Sequence, residues 1–197
     1  MVCSNCKQEG HKKPTCPNPT LPVNEPTEEL SIKIDLLEDV KEKLNKLASM
    51  CKQVACGLGK GHVEGVYQQA LCSELQEAGI QYVSEEVMPI LYKGRPIGGG
   101  HSQRLDVSLT SYLPFTYELK AVAGIRPEHH WQLVRYLEYK KQAYGAVVNF
   151  NQSDRGALEI QFIVRQDGVF YLYDLSKGIG RELCDFTLAS VGDGWGC

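Results

Sequence analysis

The sequence predicts an α/β domain behind a small Cys/His segment, and three observations lead there. Three stretches repeat apolar residues at intervals of three and four, the period of a helix with one buried face. Short runs between and after them alternate apolar with polar residues, or are continuously apolar, as strands are. The segment up to Cys16 gathers Cys3, Cys6, His11 and Cys16 and has too few apolar residues for a core of its own.

The chain of 197 residues suits one globular domain and an appendage, and an apolar content of 43% allows a sizeable core. A net charge of −3 and a pI near 6.0 argue against a polybasic, histone-like way of holding a partner. Nucleic acid remains compatible, because the field that matters is local. No apolar run has the length of a membrane span, so no membrane partner is expected. The opening MVCSNCKQEGHKK lacks the apolar stretch of a secretory signal. An intracellular location, nuclear or cytoplasmic, is expected, with the eight cysteines in a reducing compartment. Cys51, Cys56 and Cys72 read as small residues of helical core faces.

Residues 1–17 are the first element. Cys3, Cys6, His11 and Cys16 are spaced C-x2-C-x4-H-x4-C, three thiolates and one imidazole that close a tetrahedral Zn²⁺ site. Without a core, the metal would supply the folding energy of this piece. The segment resembles the CCHC zinc knuckle of retroviral nucleocapsid-type proteins, with Gly10 before the histidine and Pro17 after the last cysteine. That resemblance implies single-stranded nucleic acid as the partner. Ser4 stands where such knuckles carry an aromatic, so Lys7, Lys12 and Lys13 are the expected contacts, made to phosphates with little sequence preference. A knuckle that binds protein is the alternative. Residues 18–27 form an extended, proline-rich linker.

Residues 28–197 make the main domain. Thr27 is expected to cap a helix that opens with Glu28 and Glu29. Ile34, Leu37, Val40, Leu44, Leu47, Cys51, Val54 and Ala55 form its stripe, and Gly57 ends or bends it. A second helix runs from about His62 to Ala78, with Val63, Tyr67, Leu71 and Leu75 buried and Gly79 as its stop. Strands are expected at 80–83 and 87–92, then a turn at Lys93-Gly94-Arg95-Pro96. A hairpin follows the glycine run 98–100. A third helix begins at Pro127 and reaches about Gln142, and strands at 144–150, 158–164 and 169–175 complete the domain.

The hairpin RLDVSLTSYLPFTYELK, 104–120, raises the chemical question. Leu105, Val107 and Leu109 fall on one face of the first run, and Phe115, Tyr117 and Leu119 on one face of the second. With the loop centred on Tyr112, Asp106 lies across from Glu118 and Arg104 across from Lys120. Like charges opposed in a sheet destabilise it. A divalent cation between them removes that penalty, and hard oxygen ligands suit Mg²⁺ or Mn²⁺. Lys120 points the same way and can orient a water or steady phosphate charge. On this stretch alone, an ordinary solvated strand face is an equal reading.

Two helical elements add to it. Glu64, in Gly61-His62-Val63-Glu64-Gly65-Val66-Tyr67, sits at the border of the apolar stripe, where a carboxylate needs a partner or a metal. Gln132 and Tyr136 share a helix face, so the amide can hold a phosphate or a water with the ring packed beneath it. The order G-x-x-E-x-x-Y, D, E-x-K, Q-x-x-x-Y across residues 45–175 resembles the GxxExxY family of the PD-(D/E)XK nuclease superfamily. The stretches YKGRPIGGG and ELKAV, and His129 shortly before Gln132, match it too. The resemblance implies a restriction-endonuclease-like core, a central mixed sheet flanked by helices. It implies that Glu64, Asp106 and Glu118 hold the Mg²⁺ or Mn²⁺, that Lys120 assists the water and that Gln132 orients the substrate. Tyr67, His129 and Tyr136 would support them.

The expected activity is metal-dependent hydrolysis of phosphodiester bonds, in DNA before RNA, with the knuckle raising the local concentration of a strand. The alternative is a non-catalytic adaptor for nucleic acid or protein that keeps the nuclease fold. A zinc-dependent hydrolase is disfavoured, because four protein ligands leave the zinc no open position.

Overall fold

The computed structural model describes residues 31–183 except 94, 154 and 155, with the side chains of 91 and 98–101 also set aside. The Cys/His segment expected to bind zinc through Cys3, Cys6, His11 and Cys16, the lysines beside it and the proline linker lie outside the described residues. The compact unit that begins at Ser31 runs β1 (Ser31–Lys33), α1 (Glu38–Leu58), α2 (Glu64–Glu77), β2 (Tyr82–Tyr92), β3 (Arg95–Leu109), β4 (Phe115–Lys120), α3 (Pro127–Lys140), β5 (Tyr144–Asn149), β6 (Glu159–Gln166), β7 (Val169–Asp174) and β8 (Ile179–Glu182). The strands form one sheet in the order β1-β8-β7-β6-β5-β4-β3-β2. Every pair is antiparallel except β4 with β5, which α3 connects. The sheet is therefore mixed and flanked by helices, as the α/β expectation required.

The helices divide between the two faces. Leu44, Leu47 and Cys51 of α1 and Tyr67, Leu71 and Leu75 of α2 join Val107, Phe115, Tyr117, Leu119 and Val148 in the main core. On the other face Leu133, Val134 and Leu137 of α3 pack against Val147, Ile163 and Phe170. Strand β4 is enclosed between these layers and is buried from Phe115 to Leu119.

That enclosure overturns the solvated-face reading of the hairpin. Ser108, Thr116 and Glu118 are fully buried. Thr116 Oγ1 donates to Gln142 Oε1 at 2.6 Å, and Gln142 Nε2 donates to Ser108 Oγ at 3.4 Å. Gln142, just past the end of α3, thus satisfies Thr116 and Ser108, two of the polar groups that alternation turned away from the main core.

Other boundaries also move. Helix α1 starts at Glu38 rather than near Glu28, because Ser31–Lys33 pair with Ile179–Arg181 as an edge strand. Ile34, expected on the helix stripe, instead buries its side chain against Gly180, where an added Cβ would come within 2.3 Å of Ile34 Cδ1. Pairing and burial here outweigh a weak local helix preference. Leu37 becomes the exposed N-cap, and Glu38 and Asp39 supply first-turn carboxylates. Val63, expected buried, is the exposed N-cap of α2, and Cys56 is exposed rather than a core residue. The two strands expected at 80–83 and 87–92 are one strand, β2, irregular at Glu85 but not broken.

Candidate active site

The site forms where β3 and β4 part. Their pairing runs Leu109 with Phe115, Ser108 with Thr116 and Val107 with Tyr117, so the loop is centred where the alternation placed it. The next pair would be Asp106 with Glu118, but the ladder stops there. The Leu119 N–H donates instead to Asp106 Oδ2 at 2.7 Å. A side chain has taken the place of a strand backbone, and a notch opens between the two strands. Opposite Asp106 on β2, Glu85 has φ of 55°, and the regular pairing skips it. Leu105 accordingly packs with Met88 and Tyr136, not in the cluster that holds Val107 and Leu109. The expected single apolar face of this strand is split at Asp106.

Glu118 and Lys120 follow on β4. Lys120 Nζ donates to Glu118 Oε1 and, at 2.8 Å, to the Leu119 carbonyl. It also lies 3.8 Å from Glu64 Oε2, which α2 brings up at its first helical residue. Lys120 therefore links the helical carboxylate to the strand carboxylate. Glu118 Oε2 is buried and has no hydrogen-bond partner. Three carboxylates, Glu64, Asp106 and Glu118, face one ammonium, so the fully ionised site carries two negative charges in excess.

Burial sets the electrostatics. Burial and the Asp106 charge push the Glu118 carboxyl up to about 8, against the pull of Lys120. Burial pushes Asp106 up to about 6, against the Leu119 hydrogen bond and Lys120. Glu64 is raised by burial, with Lys120 opposing and Glu85 adding to the rise. For Lys120 burial works to lower the pKa, but Glu118, Glu64 and Asp106 together outweigh it and leave it raised. The site thus disfavours carboxylate ionisation until a cation or protons offset the excess charge.

The supporting residues hold this notch from behind. Tyr67 donates its O–H to the Gly59 carbonyl at 2.9 Å and stacks on Phe150 at 4.3 Å, which fixes the glycine turn ahead of Glu64. Gln132 Nε2 donates to the Tyr136 hydroxyl at 3.1 Å, and Tyr136 in turn donates to the Arg104 carbonyl. Burial pushes the Tyr136 hydroxyl up to about 12, with Glu118 and Asp106 adding to the rise. Gln132 is thus engaged with Tyr136, and no contact of Gln132 with a carboxylate is among the described ones. His129 accepts the Arg126 N–H on Nδ1 at 3.1 Å and so closes the N-terminus of α3. Burial lowers its pKa, and the Lys120 charge lowers it further.

Two residues escaped the sequence reading. Gln68 lies one turn after Glu64 and is buried, and its Nε2 donates to Glu85 Oε1 at 2.8 Å and to the Asp106 carbonyl at 3.2 Å. Glu85 also takes Arg104 Nη1 at 3.1 Å. The hydrogen bond from Gln68 and the pairing with Arg104 hold the Glu85 carboxyl below its ordinary value. The signal for both was present: a Gln four residues from Glu64, and a glutamate pair, Glu85-Glu86, interrupting a strand.

Among the described residues no group of three or more His, Cys, Asp or Glu side chains lies close enough together to hold a metal ion. The Lys120 ammonium bridges Glu64 and Glu118 instead. The orphaned Glu118 oxygen, the second-strand carboxylate of Asp106 and the all-oxygen donor set nevertheless fit a hard divalent cation. Among the described residues no helix is long and apolar enough to cross a membrane.

A family model described as the PD-(D/E)XK nuclease superfamily matches residues 41–161, a span that contains Glu64, Asp106, Glu118, Lys120 and Gln132. Neither a curated protein nor a solved structure matches the chain.

Proposed function

The chain belongs to the PD-(D/E)XK nuclease superfamily, and from that premise we propose that it is an Mg²⁺- or Mn²⁺-dependent nuclease that hydrolyses phosphodiester bonds, in DNA before RNA. The order of its motifs supports placing it in the GxxExxY branch. The observation that carries the reading is Glu118 Oε2, buried without a hydrogen-bond partner beside Asp106. A fold that keeps a carboxylate oxygen in that state gains nothing from it unless a cation completes its coordination.

Asp106 and Glu118 would be the principal ligands, with Glu64 completing the set. When bound, the cation would supply an acidified water and neutralise charge on the scissile phosphate. The chain's own groups do the rest. Lys120, the one ammonium of the cluster, would hold the attacking water or a phosphate oxygen and favour charge that develops there. Gln132 would orient the substrate from α3, with Tyr136 as its support. Gln68, by gripping the Asp106 carbonyl and Glu85 together, holds the metal-binding strand in place.

The N-terminal segment belongs to the same proposal. The spacing of Cys3, Cys6, His11 and Cys16 supports one structural Zn²⁺, and Lys7, Lys12 and Lys13 support weak, sequence-tolerant contact with a single strand. An intracellular location, nuclear or cytoplasmic, accords with such a substrate. Incubating the protein with single- and double-stranded DNA and RNA in Mg²⁺, Mn²⁺ or EDTA tests the activity. Cleavage that needs a divalent ion is expected. Binding without cleavage under every condition would replace the nuclease with an adaptor.

A further inference from the structure

Beyond Asp106 toward its start, β3 leaves the body of the sheet. It pairs with β4 only over Val107–Leu109, whereas its pairing with β2 reaches Arg95, with a register shift between Pro89 and Ile90 where the β3 partner passes from Ser102 to Ile97. The stretch Val87–Tyr92 with its β3 partners is therefore a two-stranded ribbon among the described residues. At the rise of a strand its six β2 residues extend about 20 Å. Its outermost described pair is Tyr92 with Arg95.

The ribbon carries no acidic residue of its own: from Val87 to Leu105 there is no Asp or Glu, while Lys93, Arg95 and Arg104 are basic, in a chain whose net charge is −3. Met88 at its root is buried against Leu105 and Tyr136, but further apolar residues are open: Tyr92 is 61% exposed, Val87 56% and Ile97 49%. Lys93 Nζ sits 5.5 Å from the centre of the Tyr92 ring, so the tip offers an aromatic face and a cation together. At the root, Arg104 is two residues from Asp106 and pairs with Glu85 at the edge of the notch. The ribbon thus leads from the candidate active site outward with positive charge at its far end.

We propose that this ribbon is the duplex-binding arm of the protein, docking in the major groove of double-stranded DNA beside the scissile phosphate. The inference rests on the nuclease reading for what lies at its root, and on its own charge and shape for the rest. Two-stranded β-ribbons fit the major groove of B-form DNA, whereas the deep, narrow groove of an RNA duplex excludes them. Lys93 and Arg95 would contact phosphates on the groove walls, and Tyr92 and Ile97 would lie against base edges or sugars. Since Lys93 and Arg95 take no part in the notch, they should govern affinity and not the chemical step.

The test is binding of a fluorescent DNA duplex, in EDTA, over a salt series. Lys93→Ala with Arg95→Ala is compared with parent protein and with a control, Lys43→Ala with Lys46→Ala, on α1. The ribbon variant should lose affinity about tenfold or more, and its log–log salt slope should fall by about 0.9 for each phosphate contact removed. The control should lose much less, and kcat at saturating duplex should be unchanged. Equal losses in ribbon and control variants, or no loss in the ribbon variant, overturn the proposal. So does an equal loss for single strands and duplex, which makes the ribbon a general strand holder. So does a parent dimer, seen by sedimentation, that Val87→Asp dissociates, which makes the ribbon a subunit contact. A parent that binds no duplex overturns it too. Metal-free binding separates the two readings: a ribbon effect without any cleavage by the parent sinks only the nuclease, and cleavage without a ribbon effect sinks only the arm.

Discussion

The Asp106 carboxylate accepts the Leu119 N–H at 2.7 Å, so a side chain of β3 does the work of a backbone carbonyl where the two strands separate. This one contact both opens the notch and fixes the strand that carries Glu118 and Lys120. Asp106 is therefore structural and chemical at once, and the two roles separate by substitution. Asp106→Asn keeps an oxygen for the Leu119 N–H and removes a buried charge. It should fold with equal or higher metal-free stability, and bind no cation and cut no nucleic acid. Asp106→Ala strands a buried N–H and should lose about 1–3 kcal/mol in denaturant unfolding as well as activity. Equal stabilities for the two variants would show that the contact holds nothing.

The raised carboxyls set a pH dependence with a definite sign. Glu118, ordinarily at 4.5, reaches about 8 in the fold, and Asp106, ordinarily at 3.8, about 6. Below the ordinary values both states are protonated and nothing is lost. As pH rises, the unfolded chain ionises first, and the metal-free fold is destabilised until Glu118 also ionises. Metal-free Tm should fall between about pH 4 and pH 8, by an amount on the order of a few kcal/mol in stability. Saturating Mg²⁺ or Mn²⁺ should remove the fall, cation affinity should rise over the same range, and binding should release protons. Glu118→Gln should flatten the upper part of the curve. A metal-free Tm that rises with pH would contradict the electrostatics of the notch.

Lys120→Ala isolates the ammonium. It removes no oxygen ligand, so calorimetric titration should still find cation binding. The cleavage rate should drop on the order of 10²-fold or more, as for other preorganised charges. Without metal the variant should melt below the parent, since Glu118 and Glu64 lose their counter-charge, and added divalent ion should restore the difference. A variant that cuts at parental rate would make Lys120 a structural counter-ion.

Glu64 is a different kind of carboxylate, with 41% of its side chain exposed and a single ion pair at 3.8 Å. Glu64→Gln should therefore leave Tm close to that of the parent while abolishing cleavage. Undiminished cleavage would make Glu64 a rim residue that merely shields Lys120.

How much of this was legible depended on how local the determinants were. The hairpin register was legible because a slip of one residue would have turned Val107, Leu109, Phe115 and Tyr117 out of the core. Helices α2 and α3 were legible through their own periodicity, Gly79 and Pro127. Strand β1 was not, because its partner among the described residues, β8, lies about 150 residues on, and Ile34 fits a helical stripe as well as a strand. The burial of Glu118 and Thr116 could not be read from alternation, which reports that two faces differ but not that α3 covers the polar one. Gln68 and Glu85 acquire meaning only through each other across 17 residues, and neither belongs to a spacing that chemistry demands. Cys56 was misassigned because helical spacing places it near the stripe, although the fold leaves that side of α1 open.

The pairing of Ser31 with Arg181 puts the two described ends of the chain side by side on one edge of the sheet. The notch draws on residues from Glu64 to Lys120, within reach of each other early in synthesis, while that edge waits until β8 has emerged. Closing the longest loop in the domain should therefore be a late step of folding, reached after the local contacts that build the notch have formed. The same adjacency makes the order of the chain dispensable. A short link from 183 to 31, with new ends opened at the β6–β7 turn where Gly168 has φ of 86°, should yield a circular permutant with the same sheet and the same cluster of acid and lysine side chains.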